Sequence, residues 1–146
     1  MNKDLTAIQN GMSAWNAMRI NATTLKDNFK ENQSFEVNLT ADDLGQAGSD
    51  VNAYLGIDAN DNFVVYLISE YFDKEGTANI QDHVITVPVV ISESFPTPND
   101  TDDIKPQTAV AMHNNWNNNR DQYVDEHVLQ NTICQALVIP GKDIVA

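Results

Sequence analysis

Residues 52–72 constrain this chain more than any other stretch. Ala53, Leu55 and Ile57 alternate with Asn52, Tyr54, Gly56 and Asp58, the period-two pattern of a strand with one buried face. Ala59-Asn60-Asp61-Asn62 supplies residues that tolerate positive φ, as a tight hairpin turn requires. Residues 63–68 are apolar at every position, which predicts a central strand covered on both sides. With Asp58 placed opposite Phe63, Ile57 faces Val64, Leu55 faces Tyr66 and Ala53 faces Ile68. All six then share one core-facing side as stabilising cross-strand pairs. The hairpin is a folding signal and carries almost no chemistry.

Upstream, Leu5, Ile8, Met12, Trp15, Met18, Ala22, Leu25 and Phe29 recur at spacings of three and four, one apolar stripe on a helix. Unbroken over residues 3–31, that helix would run about 40 Å. Asn21, Thr23 and Thr24 are weak helix formers, and the run from Thr24 to Asp27 resembles a cap, so a break there is expected. A dimerising coiled coil is the rival reading, disfavoured by a poor e/g charge pattern. Phe35, Val37 and Leu39 predict a one-sided strand, and Thr40-Ala-Asp-Asp-Leu a short capped helix stopped by Gly45 and Gly48.

A third strand is expected from about His83 to Ser92, with Ile85, Val87, Val89 and Ile91 inward and Pro88 marking an edge or bulge. Residues 93–106 hold three prolines and three aspartates, the composition of an exposed loop. Pro106 then opens a helix reaching about residue 130; its asparagines make it dependent on tertiary packing. Residues 133–139 fit either the end of that helical region or a last strand. The fold expected is α+β: a mostly antiparallel sheet of four to five strands with the N-terminal helix and the C-terminal helical region packed on it. With 146 residues, a single domain over 1–146 is the simplest organisation.

The chain carries 21 acids against 8 bases, a net charge of −13. Such a surface repels nucleic acid and anionic lipid and favours basic partners or cations. One cysteine rules out an internal disulfide. The start resembles no signal peptide and no long apolar run follows, so the expectation is a soluble, cytoplasmic protein. The Asn-X-Ser/Thr sequons at Asn21, Asn32, Asn38 and Asn99 read as accidents of an Asn-rich chain.

Motif by motif, chemistry is sparse. Asp58 to Asn62 begins like a calcium loop but has Phe63 and Ser69 where glycine and glutamate belong; a turn is the better reading. The aspartates at 100, 102 and 103 read as a solvated acidic loop. His83, His113 and His127 form no metal-binding pair, and Cys134, among apolar neighbours, reads as a small buried hydrophobe rather than a partner of His127 in catalysis. No metal or cofactor is expected. The candidate binding residues are His113, Trp116, Arg120 and Tyr123, three or four apart on one helix, because aromatics and arginine anchor binding surfaces; the bland alternative buries Trp116 and Tyr123 in the core with Arg120 at its rim. Function is therefore expected to be non-catalytic: an acidic interaction or accessory domain that masks a basic protein partner, with homodimerisation a further route. The alternative is a small enzyme or small-molecule-binding protein with a pocket between the sheet and the C-terminal helix; a deep pocket with convergent polar groups separates the two.

Overall fold

The computed structural model describes residues 3–91 and 106–144. The fold is α+β. Among the described residues the helices are α1 (Leu5–Met18), α2 (Ala22–Asn28), α3 (Ala41–Leu44) and α4 (Pro106–Gln130). The strands are β1 (Gln33–Ser34), β2 (Val51–Ile57), β3 (Phe63–Ser69), β4 (Ile85–Pro88), β5 (Val90–Ile91) and β6 (Ala136–Ile139). Strands β4-β3-β2-β6 form one antiparallel sheet in that order, and β1 pairs with β5 in a second. Contacts divide the chain into two compact units: residues 1–17, 35–89 and 134–146 form the first, residues 18–34 and 90–133 the second.

The first unit is built on the hairpin. β3 is central and buried from Val64 to Ser69, as its unbroken apolar run predicts. The register differs by one residue from the expected one: Ile57 pairs with Phe63, Leu55 with Val65, Tyr54 with Tyr66 and Ala53 with Leu67. The six residues assigned above to one face are therefore split between two. The turn decides this. Asp58 N–H donates to the Asn62 carbonyl, Asp61 N–H donates to the Asp58 carbonyl, and Asp61 takes a left-handed φ of 61°. That is a three-residue loop closed by a left-handed residue, and Asp58 Oδ1 reinforces it by accepting the N–H groups of Asn60 and Asn62 at 2.9 and 3.0 Å.

Each sheet face has its own cover. On one, Val51, Ala53, Val65 and Leu67 pack with Leu39 and Leu44, with Phe35, Val37 and Ile144 alongside. On the other, Val64, Tyr66 and Ile68 pack with Ile8 of α1 and with Val84. Val65 and Leu67 are fully buried, each burial favourable by about 1.5–3 kcal/mol. Residues 35–39 keep the predicted alternation of burial but take no part in a sheet, so their one-sided pattern reflects packing without ladder hydrogen bonds. α3 is capped as expected: Thr40 and Asp43 form a reciprocal capping box, and Gly45 ends the helix at φ 66°.

The expected 83–92 strand is a correction. A 3-10 turn covers Ile80–His83, β4 ends at Pro88, and residues 90–91 pair instead with β1. Pro88 lies opposite Val64 on β4, an edge strand of the four-stranded sheet where a missing N–H costs no ladder bond; Val89 N–H still donates to the Phe63 carbonyl at 3.1 Å before the chain turns to β1. Ile91, expected inward, is exposed. Residues 136–139 resolve as strand, the opposite edge. In the second unit the long N-terminal stripe is interrupted as predicted, but the cap is Asn21, whose side chain accepts the Thr24 N–H at 3.1 Å. α4 spans the range read from sequence.

Candidate functional site

The four residues singled out from sequence lie on α4 in the second unit. Trp116 and Arg120 are half-buried and Tyr123 is exposed; the side chain of His113 lies outside the described residues. Trp116 meets Phe29 edge-on at 5.5 Å and Tyr123 at 5.4 Å, and Tyr123 lies 4.0 Å from the His127 ring. Arg120 Nη1 donates to the Asn117 carbonyl at 2.9 Å and sits 3.7 Å from Glu31, while its buried Nε has no hydrogen-bond partner. Lys26 and Asp125 pair at 2.8 Å. The aromatic ladder and these ion pairs tie α2 and the residues after it to α4, around the fully buried Leu25 and Val124. The helix therefore spends most of Trp116 and Arg120 on its own unit. Of the described side chains among the four, Tyr123 is the exposed one.

A different feature gathers in the first unit. Between α1 and the β2–β3 turn lies a groove of about 820 Å³, within the range of small-molecule sites. From α1 it is lined by Ala7, Ile8, Gly11 and Ala14, and from the hairpin by Ile57, Ala59 and Tyr66. Lys3, Asp4, Asn10, Asp58, Asn60 and Thr86 supply its polar lining. Two glycines make room for the Tyr66 ring. A Cβ on Gly56 would strike the ring carbons, and one on Gly11 would strike the phenol oxygen. The glycines thus let α1, β2 and the tyrosine approach as closely as they do.

Tyr66 is only 4% exposed, yet its hydroxyl lines the groove without a hydrogen-bond partner among the described residues. Burial first, and then the Asp58 charge, push its phenol pKa up, so the group stays a neutral donor and acceptor. The rest of the polar lining is partly committed. The Lys3 ammonium donates to the Val84 carbonyl. Asp4 Oδ1 accepts the N–H groups of Thr6 and Ala7 at 2.9 and 3.3 Å at the start of α1, a capping interaction.

A second tyrosine sits in a finished network. Tyr54 Oη donates to Asp73 Oδ2 at 2.5 Å, and Asn52 Nδ2 donates to the same oxygen at 2.8 Å. Burial, then the Asp73 hydrogen bond and charge, push the Tyr54 phenol up to about 12. This group anchors the loop after β3 to β2.

The remaining sequence candidates have other surroundings or lie outside what is described. Cys134, expected buried, is exposed; its carbonyl, not its thiol, is engaged, accepting Trp15 Nε1–H at 2.9 Å. His83 stacks flat on Phe72 at 3.8 Å, and His127 Nδ1 lies 2.6 Å from Thr132 Oγ1. The acidic loop at 100–103 is outside the described residues. Among the described residues no three His, Cys, Asp or Glu side chains are grouped to hold a metal, and no helix is long and apolar enough to cross a membrane.

The groove was missed in the sequence because its walls are small residues. Ala7, Gly11 and Ala14 follow one another at four and three beside the apolar stripe of α1, and Gly11 costs about 1 kcal/mol against alanine in a helix interior. An unexplained mid-helix glycine next to a small-residue row was the available signal. No family model, curated protein or solved structure matches this chain.

Proposed function

We propose that this protein is a non-catalytic binding protein whose groove between α1 and the β2–β3 hairpin takes a small molecule with an apolar body. One observation carries the reading: an open groove of about 820 Å³ with small apolar walls is lined by Tyr66, a residue only 4% exposed whose hydroxyl has no hydrogen-bond partner among the described residues. Apolar walls supply affinity, and a lone polar group on the floor fixes orientation. The pocket anticipated from sequence involved the C-terminal helix; this one uses the N-terminal helix and the hairpin turn.

Masking of a basic protein partner draws less support. Asp43 is used in the α3 cap and Asp125 by Lys26, leaving Asp42 and Asp121 as acids of their clusters without a hydrogen-bonded partner among the described residues. Titration with the neutral dye Nile red tests the groove reading. Wild type should bind with a blue-shifted emission, and Ala7→Phe, which fills the groove from the exposed face of α1, should lose that binding at unchanged helicity. Equal binding by wild type and Ala7→Phe, or none by wild type, contradicts it.

A further inference from the structure

The polar atoms lining the groove differ in what they have left to offer. Asp4 and Asp58 each commit one oxygen, Oδ1, to nearby backbone N–H groups. The other oxygen of each carboxylate has no hydrogen-bonded partner among the described residues. Lys3, the cation among the groove's described lining residues, has its ammonium on the Val84 carbonyl. Tyr66, 4% exposed, has no hydrogen-bond partner for its phenol oxygen among the described residues, and Asp58 lines the same groove. What stays open includes the carboxylate oxygens of Asp4 and Asp58 and the Tyr66 hydroxyl, beside the side chains of Asn10, Asn60 and Thr86, which both donate and accept; among these the only open charge is negative, on a chain of net charge −13. Ionised carboxylates are acceptors only, and they bond most strongly to charged N–H donors. A carboxylate or phosphate ligand would meet like charge here.

Resting on the reading that the groove is a ligand site, we infer that its ligand is a protonated amine on an apolar body, with the ammonium group held by the free oxygen of Asp58 and the hydroxyl of Tyr66. Asp4 adds negative field at the start of α1. The apolar part lies along Ala7, Gly11 and Ala14. An ammonium has three donors and no acceptor, which matches what Asp58 and Tyr66 leave unused.

Displacement of bound Nile red by octylamine, 1-octanol and octanoate at about 0.15 M salt separates the possibilities; screening at that ionic strength suppresses the general pull of a distant acidic surface. Octylamine should displace the dye at a concentration about tenfold below 1-octanol, as a charge-assisted hydrogen bond provides, with octanoate weakest. Asp58→Asn keeps an oxygen for the turn amides and should bring octylamine to within about twofold of 1-octanol, both measured against that variant's own affinity for Nile red. Asp121→Asn, an acid outside the groove, should leave the preference intact. If the three compounds displace equally, if octanoate is best, or if the amine preference survives Asp58→Asn combined with Asp4→Asn, the inference is overturned and the groove reading stands. If Nile red fails to bind wild type, or binds Ala7→Phe equally, both fall.

Discussion

Tyr54 and Tyr66 face each other across β2 and β3, and their hydroxyls have opposite surroundings. Tyr54 donates to a carboxylate that also holds Asn52, while Tyr66 has no partner among the described residues. Removing each hydroxyl therefore reads out different things. Tyr54→Phe should cost about 1.5–3 kcal/mol, the scale of a hydrogen bond to a charged group, in urea unfolding. Tyr66→Phe should stay within about 0.5 kcal/mol of wild type, yet weaken octylamine binding about fivefold. The Tyr54 phenol, pushed up to about 12, adds a pH signature. The unfolded phenol ionises near 10, so the folded state holds the proton more tightly. The contribution is complete below about pH 10 and falls as pH rises toward 12. The stability gap between wild type and Tyr54→Phe, followed from pH 8 to 11.5, should be flat and then shrink. A gap that widened would reverse the sign of the coupling.

At the scale of elements, the seating of α1 rests on Gly11. Helix propensity alone makes Gly11→Ala stabilising by up to about 1 kcal/mol. A Cβ there runs into the Tyr66 oxygen and comes within 3.2 Å of the Ile57 carbonyl, so the substitution should instead destabilise by about 1–3 kcal/mol. Thermal melting decides the sign. The β2–β3 hairpin shows what sequence could and could not convey. Both strands, the turn and the two-sided burial of β3 were legible. The register was not, because a strand apolar at every position fits either parity, and the choice passed to Asp58 and the left-handed Asp61 in the turn. The single long strand expected after His83 is shorter: Pro88 was recognised as an edge signal, but the change of sheet after Val89, which still bonds to Phe63, was not legible.

Across the whole molecule, the α+β class, the capped α3 and the extent of α4 followed from local patterns that packing merely reinforces. The groove did not, because it is made by the approach of α1 to a turn some 45 residues further along the chain, and its walls are alanine and glycine, which carry no chemical signature. Conversely, the residues with the most suggestive side chains, Trp116 and Arg120, are half-buried beside Phe29 and Glu31, which follow α2. Leu67, at 1% exposure, carries a separate expectation: Leu67→Ala should lower stability by about 2–5 kcal/mol as measured by denaturant midpoint. The central claim is that ligand binding is confined to the groove of the first unit. Amide-resolved NMR titration of the full chain with octylamine tests it most directly. Saturable shifts are expected at Ala7, Gly11, Ala14 and residues 57–60, all absent in Ala7→Phe; shifts centred on α4, or shifts that never saturate, would rule out a ligand site in this groove.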